Sequence, residues 1–168
     1  MGYMVRYKDQ EKFELLDVDA QYAHDINSAL TEKCPAKLRR EYGLKNQARV
    51  LDALSAATGT DLSSLGAAYD YYPLDDPDDP LYEEYGEEYD SARAGEVLEK
   101  AVKHAPTVLL GLEALLRLPD ALLAVAFKRK LDELSEIKSI FADVATALRQ
   151  AVDKGAVEVY ADLDPADI

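Results

Sequence analysis

The amino-acid sequence predicts an α+β fold that is predominantly α-helical, with a small β-sheet built from both ends of the chain. Two observations lead to this prediction. A long apolar run lies between Ala105 and Phe127, and charged residues and a proline interrupt it too often for a membrane span. Short runs rich in β-branched and aromatic residues stand at 3–18 and 157–160. We therefore expect five to seven helices around a central apolar helix pair at about residues 106–134.

Length and composition fit one globular domain over residues 1–168. Of these 168 residues, 48% are apolar and 31% are charged, a balance typical of globular rather than disordered proteins. The N-terminal residues lack the apolar region of a signal peptide. Cys34 is the only cysteine and cannot form an intramolecular disulfide. These features favour a cytoplasmic protein without membrane contact.

A β-hairpin and a helix are predicted at the start of the chain. Residues 3–7 and 12–18 are rich in Val, Tyr, Phe and Leu, and four polar residues separate them. Asp19 then offers a side chain that can cap a helix. Apolar residues at helical spacing extend this helix to about Lys33.

Two further helices follow the first. Pro35 favours the first turn of a short helix that ends near Gly43. The next helix is predicted at about 45–58, because its apolar positions have helical spacing and Gly59 follows as the expected C-terminal cap. A short helical turn through Leu65 is expected after it.

The middle of the chain contains a break and then the apolar centre. Residues 73–80 include three prolines and cannot form regular structure. A helix is expected at about 90–105, and residues 106–118 are apolar nearly all round, which is typical of a buried helix. Six side chains around this centre are expected to be nearly inaccessible to solvent: Leu109, Leu112, Leu116, Leu123, Val125 and Phe127.

The C-terminal part predicts more helix and one strand. Pro119 begins a helix, and helical periodicity continues to Lys154 with a break near Ser135. Gly155 ends the helical pattern, and residues 157–160 alternate as a strand does. This strand and the N-terminal hairpin are expected to form one sheet.

The most distinctive feature of the sequence is the distribution of its charge. The formal net charge is −14, but the 43 residues at 50–92 contain 12 acids and neither lysine nor arginine. The other 125 residues are nearly neutral, with 21 acids and 19 bases. The same stretch holds six of the 11 tyrosines. A surface of one sign restricts the partners that a protein attracts.

We interpret residues 69–90 as an acidic, tyrosine-rich loop or insertion within the domain, and we call it the acidic segment. Its carboxylates would meet Arg and Lys of a basic protein partner, and its tyrosines would supply apolar contact area. Immunity proteins, antitoxins and nucleic-acid mimics use acidic surfaces in this way, although the analogy is one of charge and not of sequence. The candidate contact residues are Asp75, Asp76, Asp78, Asp79, Tyr82, Glu83, Glu84, Tyr85, Glu87 and Glu88.

Other interpretations of the acidic segment stay open. It could be a solvated loop that keeps a structural or self-associating helical protein in solution. It could also pair with a basic strip of the same chain, in which six cations lie within 17 residues and only Glu41 opposes them. The basic strip comprises Lys33, Lys37, Arg39, Arg40, Lys45 and Arg49. Its surroundings resemble a helix-turn-helix in outline only, and the −14 charge disfavours direct nucleic-acid binding.

An enzymatic alternative depends on glutamates spaced three residues apart. On a helix such pairs share a face and could hold Mg²⁺ or Mn²⁺ for phosphate hydrolysis. Three such pairs among 33 acids are near chance. With two histidines and one cysteine, a zinc site is disfavoured, so we expect no metal, cofactor or catalytic residue. The pairs are Glu84 with Glu87, Glu96 with Glu99, and Glu133 with Glu136.

Overall fold

The structure, a computed structural model, describes residues 2–66 and 101–163. Within these ranges it confirms an α+β, mostly helical fold with one antiparallel sheet in the strand order β2-β1-β4-β3. The strands are β1 (Gly2–Tyr7), β2 (Glu14–Leu15), β3 (Lys103–His104) and β4 (Ala156–Asp162). The helices are α1 (Gln21–Leu30), α2 (Ala36–Glu41), α3 (Val50–Thr58), α4 (Ala105–Leu116), α5 (Asp120–Phe127) and α6 (Leu134–Asp153).

The two ends of the chain meet in the sheet, as the sequence predicts. β1 pairs with β4 along its whole length, whereas it pairs with β2 at only two positions. Tyr3 and Val5 of β1 are buried, and the Tyr3 hydroxyl donates a hydrogen bond to the Leu65 carbonyl at 3.2 Å. Arg6 and Glu158 stand opposite each other on β1 and β4 and form an ion pair. The sheet is therefore anchored on one face by burial and on the other by a cross-strand pair.

Strand β3 is absent from the sequence prediction, which extends a helix to Ala105. Lys103 and His104 instead pair with β4, and a new helix begins at Ala105. Pro106 fits a helix that begins here, because proline lacks an amide donor and is tolerated in a helix's first turn but not in its interior. The chain therefore enters α4 from an extended segment.

Helix α3 begins later than predicted, at Val50 rather than near residue 45. The cause is backbone pairing before the helix: the Cys34 amide donates to the Ala48 carbonyl at 2.9 Å, and the Val50 amide donates to the Glu32 carbonyl at 2.9 Å. These bonds hold the segment in an extended conformation. The predicted end of the helix is confirmed, since Gly59 adopts a left-handed conformation with φ of 71°.

The core forms around α4, which packs on α6, β4 and α3. Four of the six predicted core residues are buried, namely Leu109, Leu112, Leu123 and Phe127. The prediction is wrong for Leu116 and Val125, which are only partly buried. Leu110 is 63% exposed, so one face of α4 is open to solvent. An apolar run all round a helix thus overestimates its burial, because its neighbours cover only part of its circumference.

Within the described ranges no helix has both the length and the apolar character that a membrane span needs.

The helix pair predicted after Pro119 breaks at residues 128–133, slightly before Ser135. Lys128 ends α5 in a left-handed conformation with φ of 53°, a position that glycine usually occupies. The Arg129 amide donates to the Ala124 carbonyl at 3.0 Å and closes this turn. The aromatic rings of Phe127 and Phe141, 5.5 Å apart between centroids, pack α5 on α6.

Replacing Gly111 by alanine is expected to destabilise the protein, although alanine usually favours a helix over glycine by about 1 kcal/mol. A Cβ atom at this position would lie 2.6 Å from Leu62 Cδ2 and 2.8 Å from Thr60 Cγ2. Since Leu62 is fully buried and Thr60 is β-branched, neither side chain moves freely. Overpacking costs about 1–3 kcal/mol and should exceed the helical gain. Denaturant unfolding measures the effect, and a more stable variant would contradict the close approach.

Candidate functional site

The candidate contact residues of the acidic segment, from Asp75 to Glu88, lie outside the described residues, and their role stays a prediction. The charges of the described residues nevertheless show how the net charge is divided along the chain. By sequence, residues 2–66 and 101–163 contain 19 acids and 17 bases. The remaining residues therefore account for 12 of the 14 excess negative charges. The described residues, which we call the body, are thus nearly neutral.

Most cations of the basic strip lie at the protein surface. An isolated antiparallel bridge places Lys33 beside Arg49, and α2 presents Lys37 and Arg40 to solvent. Arg39 is held by the structure, because its Nη1 donates to the Asn46 carbonyl at 2.9 Å. Five of the six cations are exposed, with Arg39 partly buried. The strip is thus a local positive patch on the nearly neutral body.

Among the described residues, the ion pairs with N–O distances within 4.0 Å involve other cations than those of the basic strip. Arg49 donates instead to the Thr31 carbonyl. The helix-turn-helix outline does not hold, because residues 42–49 form an eight-residue connection between α2 and α3. A helix-turn-helix uses a turn of about three or four residues. Pairing between this strip and the acidic segment stays a prediction.

A cleft of about 650 Å³ lies between α1, the turn after α5, and the start of α6, and we call it the α1–α6 cleft. Its apolar floor includes the buried side chains of Phe127 and Ile137. Carboxylates stand along two edges, and Lys128 and Arg129 lie at the turn. The carboxylates are Asp25 on α1, Glu32 two residues beyond its end, Glu133 directly before α6 and Glu136 in the first turn of α6.

One of the three predicted glutamate pairs, Glu133 with Glu136, therefore lines a cleft. The other two pairs fall outside the described residues. Asp25 and Glu32 were not singled out from the sequence. Glu32 lies two residues beyond the end of α1, so helical spacing does not relate it to Asp25, and no local signal identifies the two together. That they face the start of α6 depends on tertiary packing, which no local pattern encodes.

The carboxylates do not form a multidentate metal centre. In residues 2–66 and 101–163, no group of three or more His, Cys, Asp or Glu side chains is placed to hold a metal ion. His104 Nδ1 is instead 2.8 Å from the Thr107 hydroxyl at the start of α4. Phosphate hydrolysis through the other glutamate pairs, which lie outside the described residues, stays a prediction.

Cys34 is expected to react slowly with thiol reagents in the native protein. Its side chain is 1% exposed, and burial raises the pKa of the thiol. Since the thiolate is the nucleophile, a raised pKa lowers the reactive fraction at any given pH below that of a free cysteine. The rate of disulfide exchange with a chromogenic reagent, native against unfolded, checks this. Fast modification of the native protein would contradict the burial of Cys34.

The substitution Cys34→Ser should leave partner binding unchanged.

Comparison with known protein families, curated proteins and solved structures found no match. The cleft and the basic strip are therefore interpreted from their own residues.

Proposed function

We propose that this chain is a non-enzymatic binding or inhibitory protein whose acidic segment docks on a basic protein partner, as immunity proteins, antitoxins and nucleic-acid mimics do. The observation that carries the proposal is the division of charge. The described residues have a formal charge near zero, and 12 of the 14 excess negative charges belong to the remaining residues, most of them in the acidic segment. Concentrated charge raises the rate of encounter with an oppositely charged partner.

The composition of the acidic segment supports binding rather than solubility alone. Two carboxylates about 7 Å apart in water repel by roughly 0.5 kcal/mol before screening by salt. A segment kept only for solubility would gain nothing from tyrosine, yet six tyrosines lie among its acids. Tyrosine combines a large apolar surface with a polar hydroxyl and is enriched where interfaces contribute most of their binding energy. Tyr82 lies between the two acidic runs and Tyr85 lies within the second of them, and both are the proposed anchors.

Retention of partners from a native lysate at low and high salt tests the proposal. The immobilised chain is compared with a variant in which Asp75, Asp76, Glu83 and Glu84 carry the corresponding amides. A matched control neutralises four exposed acids of the body and has the same net charge. These control positions are Asp9, Glu11, Glu14 and Asp17.

We expect basic proteins to bind the wild type and the control and to dissociate at high salt. Equal loss of binding in both variants would show that net charge, not the segment, attracts partners. Turnover of a nucleoside triphosphate that depends on Mg²⁺ and on Glu133 and Glu136 would replace the proposal with phosphate hydrolysis.

We also propose a cytoplasmic location, supported by the single unpaired cysteine.

A further inference from the structure

The α1–α6 cleft combines two chemistries in one space. Phe127 and Ile137 at its floor are 6% and 5% exposed, and the partly buried Ala29 and Ile140 extend this apolar surface. Four carboxylates line the same cleft. A ligand that fits must therefore bring both apolar surface and positive charge.

Among the residues that the structure describes, three of the four carboxylates have no cation partner. Glu32 lies 3.9 Å from the Lys128 ammonium, but both side chains are 53% exposed, and ion pairs so exposed contribute little. No ion pair among the described residues involves Asp25, Glu133 or Glu136. Even with Lys128 and Arg129 counted, the lining carries two excess negative charges.

Each simple class of occupant satisfies only part of this lining. A metal ion would leave the apolar floor unused, and the described residues have no three-ligand cluster for it. A purely apolar side chain would strip water from the carboxylates without replacing their hydrogen bonds, which is unfavourable. Lysine and arginine have both features, since their aliphatic stems lie along apolar surface while their charged heads meet carboxylates.

We propose that this cleft receives a segment of the basic partner that presents lysine or arginine side chains, with stems along the partly exposed Ala29 and Ile140 and heads on Asp25, Glu133 and Glu136. The inference rests on the proposed function, because it concerns the same partner. It assigns association and dissociation to two different surfaces. The acidic segment accelerates encounter at long range, and the cleft slows dissociation through short-range contact.

The test uses two soluble probes with the full-length chain. One is a short oligolysine, and the other is an oligomer of diaminobutyric acid with the same number of amines on stems two methylenes shorter. Both are measured near pH 6 at low salt, where both carry full charge. If stems lie on the floor, oligolysine binds more tightly, whereas charge attraction alone makes the two probes equal.

Variants locate the contact. Glu133→Gln with Glu136→Gln should weaken oligolysine binding about fivefold, mainly through faster dissociation, because exposed ion pairs contribute modestly each. Asp132→Asn with Asp153→Asn is the matched control, since both carboxylates are exposed, lie near or on α6 and do not line the cleft. Glu133→Asp with Glu136→Asp retains the charge and should restore most of the binding. Thermal unfolding confirms that each variant is folded.

The outcomes separate this inference from the proposed function. Equal weakening by the cleft variant and its control overturns the cleft while leaving a basic partner possible for the acidic segment. Binding that is lost in the cleft variant but persists when the acidic segment is neutralised supports the cleft and overturns the segment's role. Absence of oligolysine binding to the wild type overturns both.

Discussion

Neutralising four acids of the acidic segment to amides is expected to slow association with a basic partner by about threefold to tenfold at low salt. The substitutions are at Asp75, Asp76, Glu83 and Glu84. Electrostatic steering raises association rates by about 10- to 1,000-fold, and it depends on the summed field, so removing part of the charge removes part of this gain. The dependence of the rate on salt should flatten in parallel. Association kinetics at several ionic strengths measure both effects.

The melting temperature distinguishes a docking surface from a segment that pairs with the basic strip of the same chain. If the acids face solvent in the free protein, removing their mutual repulsion leaves the melting temperature unchanged or raises it. A lower melting temperature would contradict the docking proposal and indicate that the acids pair with Arg39, Arg40 and the other cations of the basic strip. Truncating Tyr82 or Tyr85 should instead increase the dissociation rate, because contact residues act after encounter.

Replacing Leu112 by alanine is expected to lower the free energy of unfolding by about 2–5 kcal/mol. Leu112 is 0% exposed on the side of α4 that enters the core, so its loss leaves a cavity. Leu110, two residues earlier on the same helix, is 63% exposed. The matched substitution Leu110→Ala should change stability by less than about 0.5 kcal/mol, since surface changes are usually small. Denaturant unfolding of both variants gives the comparison.

A similar cost at both positions would contradict the orientation of α4. It would mean that Leu110 is covered in solution, for instance by a second copy of the chain. A concentration-dependent melting temperature of the wild type would then be expected, because association stabilises the native state by mass action.

The sequence predicts the elements that local chemistry specifies. Gly59 and Gly155 end helices because only a residue without Cβ adopts their left-handed backbone at no cost, and both have positive φ. Residues 3–7 and 157–160 form strands because their side chains suit a pleated, half-buried surface. That these strands belong to one sheet was also expected, and the structure confirms it.

What the sequence could not provide is set by contacts between distant segments. The late start of α3 depends on backbone bonds from residues 32–34, and no pattern within residues 45–50 announces them. Asp25 and the start of α6 line the same cleft, and this too results from contacts between segments that are distant in sequence. Lys128 adds a different difficulty, because a left-handed lysine violates the local preference that a helix-ending prediction uses.

The pairing of β1 with β4 has a consequence for the timing of folding in the cell. Gly2–Tyr7 has only two residue pairs with β2, so most of its hydrogen-bonding groups have no partner until Ala156–Asp162 has been synthesised. At translation speeds of about 5–20 residues per second, the intervening chain takes about 8–30 s to appear. Throughout that interval an apolar strand with unpaired edges is exposed to other nascent chains. We therefore expect ribosome-bound chains shorter than this length to engage chaperones, and release to coincide with the arrival of β4.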